Sequence, residues 1–366
     1  MPTPSPSAPL QASTIPEIKV DGQANADLAR DLVLLQIDED LFGMKRLAAT
    51  LTGTGPRDGA KDEPLNWMDG TVLDFGKALT VSLGATTARA EMFTGRMSAL
   101  ELSADQGRAP EVVCLAEDTL MELRMTRRFR TYEEASEADM LQEIASAHGL
   151  SAQCDVAGPT WAMVQQWNQS DLAFLRERAR RLAAEVWIDG STLHMATRDK
   201  RNGPAVTLIQ GGNLLQARLR ADLAHQRTKL VAGGFDDSAE DSIDESADSG
   251  VVDAEAQGNQ HGVAVLQRAF GDRVSYHVRN VPLKDPEGSA LAKAALLARA
   301  RRFVTVSGVA QGNTQLRVGT LLRLERVSPV FEGDGYYVTR VRHQFDLADG
   351  YRTHFDAERE WIGAAS

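Results

Sequence analysis

The side chains that most often carry out chemistry are scattered along this 366-residue chain. It contains none of the signatures GxSxG, HExxH, CxxC and the P-loop, and no GxGxxG follows a strand-like run. The seven histidines lie at 148, 194, 225, 261, 277, 343 and 354. His343 and His354 could face each other across a predicted hairpin, and a structural pair explains them better than a metal site. We therefore expect no catalytic residues, no cofactor and no metal site.

The two cysteines, Cys114 and Cys154, are too few for a disulfide scaffold or for a four-ligand zinc site. We expect two free thiols in a chain that folds in the cytosol. Acidic residues number 51, so a carboxylate pair suited to glycoside hydrolysis stays an open alternative, although none lies in a distinctive context. The folding pattern is therefore more informative than the reactive side chains.

The net charge of −11 comes mostly from one segment, 236–255, which holds nine acidic residues and no basic one. Removing these nine from the 51 acidic residues leaves 42 against 40 basic residues. This nearly neutral remainder lacks the basic surface that sequence-independent nucleic-acid binding requires. The segment also lacks the glycine and the ligand spacing of a calcium-binding EF-hand loop. We expect a flexible, solvated acidic loop over 235–258.

The secondary-structure pattern divides the chain into a short arm and three regions. Residues 1–14 are rich in Pro and Ser and bury too little apolar surface to fold, so they are expected to form a flexible arm. Over 15–116, short runs that alternate apolar and polar residues, such as Leu79-Val81-Leu83, are separated by glycines. This pattern predicts a first β-barrel domain.

Helical and hairpin patterns mark 117–199 as an α+β insertion. A capping box at Ser136 begins one helix. A second helix begins near Ser170, where Asn168 and Ser170 can cap it. The charge of Asp171 favours this helix N-terminus, so Asp171→Ala should cost only about 0.5–2 kcal/mol. An Asp-Gly turn then joins two strand-forming runs in a hairpin.

Strand-like runs return over 200–366 and predict a second β-barrel domain, which contains the acidic loop and an alanine-rich helix at 288–303. The predicted fold class is α+β, mainly β, with two β-barrel domains flanking an α+β insertion. No run of 18 apolar residues occurs, and the N-terminus lacks the features of a secretory signal. We therefore expect no membrane insertion.

Four stretches of the sequence resemble the phage late control D family, the baseplate hub proteins of contractile tails, which includes the hub part of VgrG-like proteins. The most specific is WAMVQQWNQSDLAFLRERA with the following WIDGSTLHM. The others, in the family's order, are KALTVSLGATTARAEMFTGRMSALEL, CLAEDTLMELRMTRRFRTYEEASEADMLQEIASAHGL and LRVGTLLRLERVSPVFEGDGYYVTRVRHQFDLADGYRTHFDAER. Together they span about residues 77–359, and the C-terminal stretch is somewhat more similar to hubs of extracellular contractile injection systems.

The residues that carry the resemblance are expected to be structural. They are Phe93, Gly95, Asp118, Leu120, Gln166, Asn168, Ser170, Asp171, Phe174, Leu175, Gly190, Leu193, Gly335, Tyr337, Val338, Val341, His343, Phe345, Tyr351, Thr353 and Phe355. The spacing around Tyr337 and Val338 is tighter than in the family pattern.

The resemblance implies an architecture and partners rather than a reaction. It implies two tube-protein-like β-barrels per chain, so that a homotrimer presents six barrels to a hexameric ring of inner tube protein and three-fold symmetry to a trimeric spike. No spike-like repeat occurs, so the spike is expected to be a separate protein. We expect synthesis in the cytoplasm and incorporation, with other baseplate proteins, into the baseplate of a phage tail-like particle or contractile injection system.

Two other functions stay open at this point. One is a peptidoglycan-cleaving baseplate enzyme, and the other is a cargo or effector protein carried in the tube lumen. A non-enzymatic hub is the best interpretation because no catalytic signature accompanies the resemblance.

Overall fold

The computed structural model describes residues 15–55, 65–85, 89–201, 203–256, 260–278 and 284–363. Strands predominate over helices among these residues. The predicted flexible arm, residues 1–14, lies outside them.

The elements form three groups along the chain. The first group consists of β1 (Glu17–Val20), β2 (Gln23–Ala24), α1 (Ala26–Asp31), β3 (Leu32–Asp40), β4 (Arg46–Thr52), β5 (Ala78–Leu83), β6 (Ala90–Ser103) and β7 (Glu111–Glu117). The second consists of α2 (Leu120–Met125), β8 (Arg127–Ala135), α3 (Glu137–Ala147), β9 (Ser151–Asp155), β10 (Trp161–Ser170), α4 (Asp171–Arg181), β11 (Ala184–Asp189) and β12 (Thr192–Thr197). The third consists of β13 (Val206–Ile209), β14 (Leu214–Ala221), β15 (Lys229–Asp236), β16 (Asp241–Ala247), α5 (Ser249–Asp253), α6 (Gly262–Phe270), β17 (Val274–Val278), α7 (Asp285–Ala300), β18 (Val304–Gln311), β19 (Leu321–Glu325), β20 (Gly333–Asp346) and β21 (Gly350–Arg359).

Thirteen strands form one continuous sheet that joins the first and third groups. Its order is β14-β18-β21-β20-β3-β4-β7-β6-β5-β1-β2, with β19 paired to β20 and β13 to β19. The two halves meet where β3 and β20 pair antiparallel, with Asp38 opposite Arg342 and Gln36 opposite Gln344. The predicted α+β, mainly β class is confirmed.

The two predicted β-barrels are not closed among the strands of the described part. The reason lies at the junction between the halves. Strand β3 uses one edge for β4 and the other for β20, so it has no edge left to complete a barrel within its own half. The pairing that would close a barrel instead joins the halves into one sheet.

The two halves of this sheet repeat one strand arrangement. Counted outward from the junction, the first half reads β3-β4-β7-β6 and the second β20-β21-β18-β14, with every neighbouring pair antiparallel. In each half the two inner strands are a consecutive hairpin, and the outermost strand precedes its neighbour along the chain. The inner hairpin comes first in the first half and last in the second, so the repeat is permuted and leaves no linear sequence repeat.

Alternating apolar side chains build the cores of both halves. Leu79, Val81 and Leu83 of β5, which the sequence pattern singles out, are all buried in the first core. Phe345 and Tyr351 of the second half pack into the same cluster. The halves are therefore joined by apolar packing as well as by hydrogen bonds.

Both cysteines are free thiols, Cys114 buried and Cys154 half-buried. Burial raises the pKa of Cys114 to about 12, so its thiol stays protonated. Cys114 is therefore a core residue of β7 rather than a reactive group.

The second group packs two small sheets against three helices. Strands β8 and β10 form a two-stranded antiparallel ribbon, and β9, β12 and β11 form a three-stranded sheet. The capping box predicted at the start of α3 is present, formed by Ser136 and Asp139. Leu141 and Ile144 of α3 share one buried apolar cluster with Leu175 of α4 and with both small sheets.

The acidic segment is folded, which corrects the expectation of a flexible loop over 235–258. Strand β16 and helix α5 occupy much of it, and its last two residues lie outside the described part of the chain. Ala247 and Val252 pack with residues of α7 in one apolar cluster. Gly288 of α7 leaves room for Ile243, whose Cγ2 would lie 2.9 Å from an added Cβ. A few apolar side chains spaced among the acids are enough to hold the segment against a helix.

The predicted helix at 288–303 corresponds to α7, which begins three residues earlier, at Asp285. Pro286 is compatible with the first helical turn. The backbone N–H of Lys284 donates a hydrogen bond to the Glu287 side chain at 3.3 Å, which supports the earlier start.

Candidate functional site

Buried titratable side chains join several elements of the fold at two positions, and neither is a metal site, while buried ion pairs such as Glu137–Arg178 lie elsewhere. No group of three or more His, Cys, Asp or Glu side chains among the described residues is arranged to hold a metal ion. In the same residues, no helix is long and apolar enough to cross a membrane. The two positions are the beginning of α4 and the contact between the second group of elements and the large sheet.

The first position, which we name the Asp171 cluster, surrounds the fully buried carboxylate of Asp171. This carboxylate accepts hydrogen bonds from Arg128 Nε at 2.9 Å and Gln166 Nε2 at 2.9 Å. His148 Nε2 lies 2.8 Å from Oδ2 of the same carboxylate, the oxygen that Arg128 also contacts. The backbone N–H of Asp171 donates to the Thr126 carbonyl at 3.0 Å. One carboxylate therefore ties α4 to α3, β8 and β10.

The contacts of Asp171 correct the expectation that Asp171→Ala loses only the stabilising free energy of a helix-terminal charge. Arg128 and His148 are 43 and 23 residues away along the chain, so local pattern reveals neither contact. Removing the carboxylate would leave buried or half-buried donors without their acceptor. The resulting loss of stability is larger than the loss that follows removal of a helix cap.

Asn168 does not cap α4, in contrast to the prediction that it could. It adopts a left-handed φ of 45° at a β-bulge in β10, and its side chain and backbone carbonyl accept hydrogen bonds from Arg127. Ser170 does cap the helix, since its Oγ accepts a hydrogen bond from the Ala173 N–H at 3.2 Å. The bulge turns the chain from ribbon to helix.

The second position, which we name the junction cluster, is centred on Glu185 of β11. Its carboxylate accepts hydrogen bonds from Arg198 Nε at 3.1 Å, Arg201 Nη1 at 2.9 Å and the Tyr337 hydroxyl at 2.8 Å. Tyr337 belongs to β20. The second group of elements is therefore hydrogen-bonded to the second half of the sheet.

The same two arginines extend the junction cluster to further strands. Arg201 Nη2 lies 2.9 Å from Glu39 of β3, and Arg198 Nη2 lies 2.7 Å from Glu358 of β21. All four of these side chains are buried or nearly so. A single network thus fixes the second group of elements on both halves of the sheet.

Burial and charge keep the junction cluster in one protonation state. Burial and the Glu185 carboxylate raise the pKa of Tyr337, so its hydroxyl stays protonated and donates. Burial lowers the pKa of Arg198, but the carboxylates of Glu358 and Glu185 raise it by more than burial lowers it. The net pKa is therefore raised, and the guanidinium stays charged. That guanidinium also lies 4.4 Å from the centre of the Tyr337 ring. The cluster is suited to holding parts together rather than to transferring protons.

The C-terminal histidines do not form the predicted pair. His343 pairs with Thr353 across the β20–β21 hairpin, whereas His354 lies opposite Arg342. Neighbouring strand positions point to opposite faces, so a register offset of one residue separates the two rings. Burial lowers the pKa of His343 to about 3, and its Nδ1 lies 2.8 Å from the Tyr351 hydroxyl. His343 is a neutral core residue.

Most other motif residues are buried apolar side chains or glycines with no room for a side chain. The buried apolar ones are Phe93, Leu120, Phe174, Leu175, Leu193, Val338, Val341, Phe345 and Phe355. A Cβ added to Gly95 would lie 2.2 Å from the Glu117 carbonyl oxygen, and one added to Gly335 would lie 2.2 Å from Trp361. Gly190 has a φ of 56° in the β11–β12 turn.

Asp118 fixes the turn from β7 into α2. Its carboxyl group accepts hydrogen bonds from the backbone N–H groups of Lys45 at 2.7 Å and Leu120 at 2.9 Å. Burial raises its pKa to about 7. The geometry is that of a structural turn, with both acceptors occupied by the backbone.

Known tail proteins share this fold. The 43 kDa tail protein of prophage MuSo2 from Shewanella oneidensis has a TM-score of 0.69 at 14% sequence identity, over 94% of this chain and 98% of that one. A tail protein from Neisseria meningitidis MC58 has a TM-score of 0.66 at 12% identity, over 95% and 97%. The E. coli c3393 protein, a type VI secretion system component with structural similarity to T4 bacteriophage tail proteins gp27 and gp5, has a TM-score of 0.53 at 12% identity, over 93% and 76%. At these identities the likeness is one of fold.

A family match covers most of the sequence. No protein of curated function matches it. The family described as the Alg8 N-terminal domain matches residues 57–346, a range that includes the whole Asp171 cluster and the centre of the junction cluster. The chain belongs to the Alg8 N-terminal domain family.

Proposed function

We propose that this chain is a structural, non-enzymatic hub protein in the baseplate of a contractile tail or injection system, of the late control D type. Three copies form a ring that connects a hexameric inner tube to a separate trimeric spike. The chain is made in the cytoplasm and built into the particle together with other baseplate proteins. Its tail-protein fold, which extends over nearly the whole chain, supports this assignment.

The repeated strand arrangement of the two halves carries the proposal. Each half presents the same four-stranded antiparallel order outward from the β3–β20 junction. A closed ring of three chains contains six such halves, one for each subunit of a six-fold tube ring. One chain alone has two halves and a dimer has four, so a trimer is the smallest ring that matches.

An unpaired strand edge supports a ring of neighbouring copies. Strand β14 pairs with β18, and its other edge carries no ladder to another strand of the described part. Exposed edges of this length invite uncontrolled pairing unless another chain covers them. In the proposed ring a neighbouring copy covers β14.

The β8–β10 ribbon presents an apolar face to solvent. Phe129 and Trp167 lie directly opposite each other and are 79% and 70% exposed. Met163 is exposed on the same ribbon. Aromatic and methionine side chains grouped in this way are typical of protein interfaces. We assign this face to contact with another chain of the assembly.

Replacing Phe129 and Trp167 together with serine should remove the chain from assembled particles while leaving its fold intact. Both side chains are exposed, so little core packing is lost, whereas aromatic anchors of an interface contribute much of its binding free energy. We expect the amount of chain in purified particles to fall about tenfold or more. Quantitative immunoblotting of particles, with circular dichroism of the purified variant, measures both effects.

Leu347→Ser is the matched control, because Leu347 is equally exposed at 73% but lies in the β20–β21 turn. It should leave incorporation unchanged. Normal incorporation of the Phe129/Trp167 variant would contradict the assignment of the ribbon face.

A further inference from the structure

A groove of about 450 Å³ crosses the polar face of the second half of the sheet. It spans the four strands β14, β18, β21 and β20. Ser307, Gly308 and Val309 of β18 lie in its middle, and small side chains there keep it open. The groove lies on the face of the sheet opposite the core of this half, in which Phe355 is buried.

Guanidinium groups line both ends of this groove. Arg218 of β14 lies at one end, and Arg340 and Arg342 of β20 lie at the other. The two β20 guanidiniums share one carboxylate, that of Asp38, at 3.4 and 2.9 Å. Arg218 is exposed and forms no ion pair within the described residues. Positive charge at both ends is therefore only partly compensated.

The remaining polar groups of the groove add one carboxylate, that of Asp356. Asp356 accepts a hydrogen bond from the Ser307 hydroxyl at 2.6 Å, which occupies one of its oxygens. Burial and the neighbouring Arg342 lower the pKa of His354, so its ring is neutral near pH 7 and can donate one hydrogen bond. Three guanidiniums thus face the carboxylates of Asp38 and Asp356.

We propose that this groove binds an acidic, extended segment of a partner polypeptide. Guanidinium groups pair with carboxylates in planar, two-pronged geometry. Four strands spaced about 4.8 Å apart span about 14 Å, the length of about four extended residues, so acidic side chains of one short segment can reach both ends. This inference does not depend on how many copies of the chain form the hub.

Overall charge favours a short acidic segment over a nucleic acid. The chain carries a net charge of −11, so a long polyanion that runs beyond the groove meets repulsion. A segment of a few acidic residues meets only the local positive charge. The chain's own acidic hairpin belongs to the separate β16-β15-β17 sheet, whose strands do not pair with those of the groove.

The test is a binding titration of the full chain with a fluorescein-labelled peptide of alternating Glu and Ser, about 12 residues long, at about 50 mM NaCl so that screening stays weak. The same peptide with Gln in place of Glu is the uncharged probe. We expect the Glu peptide alone to bind, and Arg218→Glu to raise its Kd about tenfold or more. Arg340→Gln should raise the Kd in the same direction, which gives a second variant of the groove.

Arg268→Glu is the charge-matched control, because Arg268 is exposed on α6 and does not line the groove. It should leave the Kd nearly unchanged. An equal Kd for Arg218→Glu and the unaltered chain would overturn the proposal. So would tighter, Arg218-dependent binding of an oligonucleotide of equal charge, which would mark a phosphate site. Self-association that both Arg218→Glu and Asp236→Asn abolish would make a second copy the occupant and would also overturn it.

Discussion

Replacing Glu185 with alanine is expected to destabilise the chain by about 3–5 kcal/mol, the usual effect of removing one partner from a buried ionic cluster. The substitution leaves two buried guanidinium groups with one carboxylate each and the Tyr337 hydroxyl without its acceptor. It also removes the hydrogen bond between β11 and Tyr337 of the second half of the sheet, while Arg198 and Arg201 keep their carboxylates on β21 and β3. Urea unfolding followed by tryptophan fluorescence measures the loss.

Glu325→Gln is the control for this prediction, because Glu325 forms an exposed ion pair with Arg323. Its stability should match that of the unaltered chain. Combining Glu185→Ala with Tyr337→Phe should show a coupling of about 1 kcal/mol, since the two side chains share a hydrogen bond. If Glu185→Ala costs no more than Glu325→Gln, the junction cluster does not hold the molecule together.

Replacing Asp171 with alanine should also cost about 3–5 kcal/mol, well above the loss of a helix-terminal charge. The fully buried carboxylate is the common acceptor for Arg128 and Gln166 and contacts the His148 ring. Without it, buried donors lose the partner that compensates their desolvation. Urea unfolding again gives the magnitude, and particles carrying the substitution should be few.

Asp253→Ala provides the comparison, since Asp253 also contacts a histidine ring, His261 at 2.9 Å, but is 58% exposed. Solvent compensates such a loss, so the effect should be small. Similar stabilities for the two variants would show that burial at Asp171 does not matter. Intact particles that carry Asp171→Ala but fail to inject would instead point to a contact role for this residue.

Local sequence patterns are sufficient to predict the strands and the start of one helix. The alternation of Leu79, Val81 and Leu83 places one face of β5 in the core, and Ser136 begins α3 as its capping box predicts. Both features depend only on residues close along the chain. The α+β, mainly β class follows from them.

Features that depend on distant residues could not be predicted in this way. Two of the partners of Asp171, Arg128 and His148, are distant along the chain, and the pairing of β3 with β20 joins residues about 300 positions apart. The permuted order of the two halves hides the repeat from any linear comparison. In the acidic segment, nine like charges predict a flexible loop, whereas a few buried apolar residues such as Ala247 and Val252 hold it against α7.

The motif residues that resemble late control D proteins identify buried positions better than exposed contact surfaces. Gln166, Asp171 and Tyr337 are all buried members of the two polar clusters. Phe129, whose exposure marks the proposed contact face, does not belong to the motif residues. Buried motif residues of this kind determine packing, whereas contact with a partner depends on exposed side chains outside the motif.

The number of copies of this chain in the hub layer of the assembled particle tests the central proposal most directly. A reconstruction of the particle by electron microscopy, computed without imposed six-fold symmetry, measures it. We predict three copies, arranged so that their six sheet halves face the last ring of the inner tube. Six copies, or a single copy, in that layer would contradict the proposed trimeric hub.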